Sequence, residues 1–129
     1  MSAFTTPLEL EDINGRVFKV MAEFDFASDT LERIVRVPVG FITDFASVPR
    51  LLWDILPPNG IYGKAAVIHD MLYEHPEAIN PEVSRIQADN TLLEGMIALH
   101  VGWLTALTIY FGVRLGGWVA WDHYRRLGQ

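Results

Sequence analysis

Four ionisable side chains lie in segments that are otherwise apolar, and they constrain the fold of this chain more than any other feature. They are Asp44 in GFITDFASVPR (40–50), the adjacent His69 and Asp70 in KAAVIHDMLY (64–73), and Asp89 in SRIQADNTLLEGM (84–96). Carboxylates and imidazoles are costly to bury unless they pair, form hydrogen bonds or bind a metal. We therefore predict that these four side chains converge in the folded chain.

The composition is that of one folded domain. A length of 129 residues suits a single core, and a hydrophobic fraction of 50% argues against disorder. The net charge of −6 argues against a nucleic-acid partner, because phosphate contacts need a basic patch. The chain has no cysteine, which excludes disulfides and thiolate zinc sites. The N-terminal segment lacks the basic and apolar regions of a signal peptide, so we expect none.

The residue pattern predicts an α+β fold in a single domain over residues 1–129, with a small antiparallel sheet from the N-terminal third packed against three or four helices. We expect an N-terminal arm over 1–12, a strand-rich part over 13–42 and a helical part over 49–126. The predicted elements are strands at Arg16–Phe26 and Arg33–Val39, a turn at Ala27–Asp29, and helices at Arg50–Ile55, at 64–74, from Asn80-Pro81 to about His100 and from Trp103 to Arg126. The residues expected in the helical core are Ile68, Leu72, Leu93, Ile97, Leu107 and Phe111.

The adjacent pair His69-Asp70 lies in a helix without a wide polar face, so we expect this helix to be buried. An imidazole nitrogen and a carboxylate oxygen are good ligands for a divalent ion such as zinc or manganese. The alternative is structural: Asp70 caps a neighbouring loop and His69 donates to a backbone carbonyl.

Asp89 falls on the apolar stripe of its predicted helix, near Ile86, Leu93 and Met96. A carboxylate in that position needs a compensating partner. The candidates are a metal, His69, or a cation: Arg50 or Arg114.

Asp44 follows a predicted strand and is flanked by apolar residues. It is either a clamp that fixes the local turn or a carboxylate ligand or general base at a strand end. Arg50 has the geometry to bind a carboxylate or phosphate through two hydrogen bonds, or to pair with Asp44.

The segment from Trp103 to Trp121 holds nineteen residues and one charge, Arg114. It is long enough to span a bilayer, and Gly112 and Gly116 have the spacing of packed membrane helices. A core helix of a small domain is also apolar on all sides. We expect the core helix, with Arg114 turned towards a carboxylate or backbone carbonyls, because the earlier helices need a partner to cover them.

Four strings along the chain together resemble one family pattern. GFITDFASVPR, YGKAAVIHDMLY, ADNTLLEGM and YFGVRLGGWVAW, in this order, resemble the domain-of-unknown-function family thirteen-fifty-three, which is common in phages and prophages. The likeness covers about residues 36–121, and its first two strings are the more specific. After Ala88-Asp89 the chain has Asn90-Thr91-Leu92, where the family often has an aromatic residue or an arginine.

The resemblance implies a phage-associated origin but no established reaction. It implies a shared role for Asp44, Ser47, Pro49, Arg50, His69, Asp70, Tyr73, Asp89 and Arg114. We expect the chain to act in the host cytoplasm or in the virion.

Three functions are compatible with these residues. The first is a metal-dependent hydrolase that acts on cell-envelope material such as peptidoglycan. In it Asp44, His69, Asp70 and Asp89 bind one divalent ion, zinc or manganese, and the ion activates a water molecule. Asp44, Ser47, Arg50 and Tyr73 complete the catalytic set by orienting substrate or stabilising an oxyanion. The second is a non-catalytic virion or tail protein, bound to other virion proteins, whose buried network only holds the fold. The third is a membrane-associated accessory protein.

Overall fold

A computed structural model of the chain describes residues 3–4, 8–13, 17–44, 63–79 and 82–127. The strands are β1 (Ala3–Phe4), β2 (Leu10–Asp12), β3 (Phe18–Val20), β4 (Phe24–Ser28), β5 (Arg33–Val37) and β6 (Ile42–Thr43). The helices are α1 (Gly63–Glu74), α2 (Arg85–Ala98), α3 (Trp103–Gly116) and α4 (Trp118–Leu127), with a short 3₁₀ helix at Pro76–Ala78. The architecture is α+β, which confirms the predicted class.

Two three-stranded antiparallel sheets form from the N-terminal third, in the orders β1-β4-β5 and β2-β3-β6. The β4–β5 hairpin pairs Phe24 with Val37 and Phe26 with Val35, and all four side chains are buried. Alternate residues point to opposite faces of a strand, so this hairpin presents one apolar face to the helices.

The strands differ from the prediction in four places. Strand β5 ends at Val37, two residues before the predicted end at Val39. The predicted strand Arg16–Phe26 is two strands in different sheets, because the chain turns between Val20 and Phe24. Ala27 and Ser28 extend β4, and the turn begins at Asp29 instead. Residues predicted as an N-terminal arm supply β1 and β2, where Phe4 stacks on Phe26 with ring centroids 4.4 Å apart.

The central helix α1 contacts both α2 and α4, as well as strands β5 and β6. It is buried almost all round, as its apolar sequence predicts, and it agrees with the predicted range 64–74 to one residue. Gly95 of α2 faces Ala65 of α1 so closely that a Cβ at Gly95 would lie 2.9 Å from the Ala65 Cβ. This contact sets the approach of the two helices.

Helix α2 begins later than predicted. Ser84 is its N-cap and forms a capping box with Gln87, so the helix starts at Arg85. Asn80 and Pro81, the predicted start signal, lie outside the described residues, as does the predicted helix Arg50–Ile55.

The predicted last helix is divided at Gly117 into α3 and α4. A Cβ at Gly117 would lie 2.5 Å from the Tyr73 hydroxyl, so only glycine fits between the two helices. No helix in the described part of the chain has the length and apolar character to cross a membrane.

The helical core was predicted in part. Ile68 and Leu72 are buried, and Leu93 and Leu107 are partly buried. Ile97 and Phe111 were expected in the core, but they are 57% and 58% exposed. The buried face of α3 is formed by Ala106, Ile109 and Val113 on the opposite side of that helix.

Candidate functional site

Asp89 is the centre of a buried polar cluster between three helices. Its side chain is 0% exposed, which confirms its predicted burial. The predicted apolar stripe is confirmed only in part, since Met96 is buried but Ile86 is 49% exposed. We call Asp89, His69, Tyr73, Arg85 and Arg114 the Asp89 cluster. Its members come from α1, α2 and α3.

Each carboxylate oxygen of Asp89 accepts two hydrogen bonds. Oδ1 lies 2.7 Å from Nε2 of His69 and 2.5 Å from the hydroxyl of Tyr73. Oδ2 accepts from Nη1 of Arg114 at 2.7 Å. It also accepts from Nη1 of Arg85, one helical turn earlier, at 3.4 Å. This coordination confirms that Arg114 turns towards a carboxylate.

The electrostatics favour an ionised Asp89. Burial works against its charge, but the hydrogen bonds of His69, Tyr73 and Arg114 and the electrostatic interaction with His69 outweigh that effect and hold the pKa of Asp89 below its usual value. Burial and the contact with Asp89 raise the pKa of Tyr73, so its hydroxyl keeps its proton and donates. His69 must also carry a proton on Nε2, since an ionised carboxylate only accepts.

Arg85 connects the cluster to the end of α3. Its guanidinium donates to the carbonyl oxygens of Val113 and Arg114, each at 3.3 Å. Cations are favourable at a helix C-terminus, where carbonyl groups lack partners within the helix. Arg85 therefore joins α2 to the last turn of α3.

Asp70 belongs to a second group on the neighbouring side of α1, because consecutive helical residues point about 100° apart. Its side chain is buried, and Oδ2 accepts from the hydroxyl of Thr43 at 2.6 Å. The Tyr124 hydroxyl lies 3.5 Å from Oδ1.

Glu74 and Asp44 complete this second group. Burial, followed by the charges of Asp70 and Asp44, raises the pKa of Glu74 to about 7, against the partial offset of His75. Burial and the same carboxylates raise the pKa of Tyr124. Asp44 is exposed at the end of β6. We call Asp44, Asp70, Glu74 and Tyr124 the acidic group.

The C-terminal end of α1 is capped from α4. Nη2 of Arg125 donates to the carbonyl oxygens of Tyr73 and Glu74, and its guanidinium lies 4.4 Å from the ring centre of Trp121. Arg125 therefore caps a helix other than its own.

The structure therefore places the predicted site residues as follows. His69 and Asp89 are in contact, with Tyr73 beside them, whereas the described contacts of Asp70 are with Thr43 and Tyr124. Ser47 and Arg50 lie outside the described residues. Among the described residues, no three His, Asp or Glu side chains are placed so that they could hold one metal ion. The bound divalent ion stays a prediction.

Sequence reasoning missed Arg85, Thr43 and Tyr124. Arg85 had a readable signal, since it lies four residues before Asp89 on the same helix and such pairs face each other. Thr43 and Tyr124 reach Asp70 from distant parts of the chain, which no local pattern marks.

A cleft of about 330 Å³ opens beside α1. It is lined by Glu23, Arg36, Pro38, Phe41, Met71, His75 and Ala78. None of these lining residues is a predicted site residue.

Comparison with known proteins identifies the family alone. Neither the curated proteins nor the solved structures contain a match to this chain. The family described as "Protein of unknown function (DUF1353)", the one that the motifs resemble, matches residues 18–113. This range includes four of the five members of the Asp89 cluster, and Arg114 follows one residue after it. Since that match covers well over half of the sequence, the chain belongs to this family of unknown function.

Proposed function

We propose that this chain is a non-catalytic structural protein of a phage particle, in which the Asp89 cluster holds the helices together. One observation carries the proposal: Asp89 is fully buried, and four donors occupy its two oxygens. A metal ligand needs a free lone pair, and a general base needs access to substrate. Asp89 has neither, so its chemistry is that of a structural ion cluster.

The placement in a phage particle rests on the motifs that resemble a family common in phages and prophages. In such a role the surface would bind other virion proteins, and the interior would need only to be rigid. A cluster with satisfied hydrogen bonds on three helices supplies that rigidity.

Chemical denaturation of Asp89→Ala tests the structural role. Removing the carboxylate leaves Arg114 and Arg85 partly buried without their partner, and we expect the free energy of unfolding to fall by about 3–5 kcal/mol. Glu82→Ala, at an exposed position just before α2, is the control and should change stability by less than about 0.5 kcal/mol. A loss no larger than the control's would contradict the proposal.

Detection in the particle tests the second half of the proposal. Mass spectrometry of purified particles of the phage that encodes the chain should find it in a fixed ratio to the other virion proteins. Its absence from complete particles would rule out the virion role and leave the structural role of Asp89 unaffected.

The acidic group favours a second candidate, the metal-dependent hydrolase. Asp44 and Asp70 are close enough to Glu74 to raise its pKa, and mutual repulsion of this kind is relieved by a bound cation. Here Asp44 and Asp70 would be the ligands, Ser47 and Arg50 of the same motif would contact substrate, and peptidoglycan would be the substrate class.

Thermal unfolding with added zinc or manganese tests this candidate. If the chain binds the metal at Asp44, the metal should raise the melting temperature of the wild type and have less effect on Asp44→Asn. This substitution changes an exposed residue. Asp122→Asn is the control and should respond as the wild type does. Equal responses of all three proteins would exclude the metal site.

A further inference from the structure

Helix α3 is apolar on two opposite faces, and only one of them is covered. Ala106, Ile109 and Val113 are fully buried against the rest of the molecule. On the other side, Leu104 is 67% exposed and Leu115 is 80% exposed. A helix buries one apolar face against one packing partner, so the second apolar face of α3 indicates a second packing partner.

The exposed face has the spacing of a helix-pairing seam. Its members are Leu104, Thr108, Phe111 and Leu115 of α3 and Trp118, the first residue of α4, which we call the outer stripe; all five are exposed. Successive members are separated by four, three, four and three residues. This is the heptad spacing by which one helix packs along another.

The outer stripe is large enough for a stable protein interface. With its exposed neighbours Trp103 and Val119 it presents on the order of 800 Å² of apolar surface, which is the share that each partner contributes to a standard interface. The largest apolar patch of a typical monomer is only about 300–600 Å². The stripe therefore exceeds what an isolated chain usually leaves in water.

The charges around the stripe favour a protein partner over a lipid surface. Helices that lie on membranes carry Lys and Arg along their polar face. The one charged residue of α3 is Arg114, which is bound to Asp89, and the net charge of the chain is −6. No positive charge therefore lies along α3 to meet lipid headgroups.

We propose that the outer stripe is a self-association surface, on which α3 of one copy packs against α3 of a second copy in a two-fold dimer. No charge on the stripe opposes a second copy between Leu104 and Trp118. The exposed Asp122 comes one step further along the same seam. A parallel pair would set the two Asp122 side chains opposite each other, so the helices run antiparallel, which also opposes their dipoles favourably.

Light scattering coupled to gel filtration tests the dimer on the full chain. The measurement is made at about 100 µM, well above the micromolar dissociation constants at the weak end for interfaces of this size. There the wild type should have twice the 14.6 kDa mass of one copy. Leu115→Glu should weaken association by at least about 30-fold. Ile97→Glu is the matched control: it places the same charge at a residue of α2 that is 57% exposed and off the stripe, and it should stay dimeric.

Circular dichroism shows whether Leu115→Glu stays folded. A second experiment uses two variants of opposite charge at one position, because a dimer that forms only when they are mixed shows that both are folded. Phe111 is the middle of the stripe, so in a two-fold antiparallel pair it faces its own copy. Phe111→Glu and Phe111→Lys should each be monomeric alone and should form a mixed dimer when combined. A monomeric wild type, or mutants that stay dimeric, would overturn the proposal. So would a wild type that is monomeric in solution but sediments with phosphatidylcholine vesicles.

Discussion

Glu74 is a carboxyl group whose pKa is raised by its surroundings. It lies at the C-terminal end of α1, partly buried, with Asp70 and Asp44 nearby, and its pKa is raised from 4.5 to about 7. Between these values the folded chain binds the proton that the unfolded chain has released. The stabilising contribution of protonated Glu74 is therefore fully present below about pH 4.5 and is lost as the pH rises through 7.

Glu74→Gln should remove this pH dependence, because glutamine mimics the protonated acid. We expect the variant to be more stable than the wild type by about 1 kcal/mol at pH 8 and nearly equal to it at pH 4.5, the figure being reduced because Glu74 is partly exposed to solvent. Urea denaturation across this pH range measures the difference. Glu82→Gln, at an exposed position, controls for the loss of one negative charge. A constant difference between wild type and Glu74→Gln at every pH would show that burial does not shift this group.

Asp89 has the opposite shift, and the sign of its effect is reversed. Its pKa is held below the usual value, so its contribution to stability is present at neutral pH and is lost as the pH falls through the folded pKa. The two groups act against each other in acid. Wild-type stability should therefore be greatest at a mildly acidic pH rather than at pH 8.

How far these residues could be predicted depends on where their partners come from. The 3.6-residue period marks the buried face of α2, so the burial of Asp89 follows from sequence. Arg114 was one of several candidate partners, because pairing across helices depends on how those helices approach each other. Sequence patterns do not encode that approach directly, and for this reason the division of His69 and Asp70 between two groups was not foreseen.

At the scale of elements, the α1–α2 contact depends on the absence of one methyl group. A Cβ at Gly95 would meet the Cβ of Ala65 at 2.9 Å, and neither atom can rotate away. Gly95→Ala should therefore destabilise the fold by about 1–3 kcal/mol, although alanine favours helix in isolation. Thermal or urea unfolding measures the loss.

The exchange of the two residues is the matched control. Ala65→Gly combined with Gly95→Ala keeps one glycine and one alanine in the pair and restores the space between the helices. We expect the double variant to be more stable than Gly95→Ala alone. If Ala65→Gly only adds its own cost, the two positions are not coupled and the contact does not set the helix approach.

Element boundaries show which sequence signals dominate. The uniformly apolar run of α1 predicted its extent well, since no competing signal interrupts it. Asn80-Pro81 was taken as the start of α2, but Ser84 with Gln87 forms a complete capping box and determines the start. Gly117 lies against the Tyr73 hydroxyl of another helix, a contact that no local pattern marks, so a local reading extends α3 into α4.

At the scale of the whole molecule, two sets of polar contacts connect different elements of the fold. The Asp89 cluster joins α1, α2 and α3. Glu94 instead ties α2 to the β4–β5 turn, where it accepts from the Ser28 hydroxyl at 2.7 Å and from the backbone N–H of Asp29 at 2.6 Å. Loss of the Asp89 contacts should make local unfolding easier in all three helices. Loss of the Glu94 contacts should make it easier only in the β4–β5 turn.

Native-state hydrogen exchange distinguishes these two effects. Asp89→Asn should lower amide protection in α1, α2 and α3 by a common factor of about 100, equivalent to about 3 kcal/mol. Glu94→Gln should lower protection mainly at Asp29 and Thr30, whose amides donate to Glu94. Protection lost only in α2 after Asp89→Asn would show that the cluster does not couple the helices.

The α+β architecture was predictable because strand and helix patterns occupy separate parts of the chain. Which face of α3 points outward was not, since both faces are apolar and periodicity alone does not rank them. Phe111 was placed in the core for that reason. The face with Ala106 and Val113 is the buried one because these side chains are small enough to let α3 approach the other helices closely.

The shared carboxylate of the Asp89 cluster also restricts how this sequence can diverge. A descendant that loses Asp89 alone retains two arginines, Arg85 and Arg114, and a histidine that were all positioned for one negative charge. One that loses Arg114 alone retains a buried anion with less compensation. Single steps in either direction are penalised, whereas replacing the whole set with apolar residues of similar volume can be neutral. Variation at these positions should therefore be concerted, and relatives should carry either the complete ion cluster or an apolar substitute for all of it.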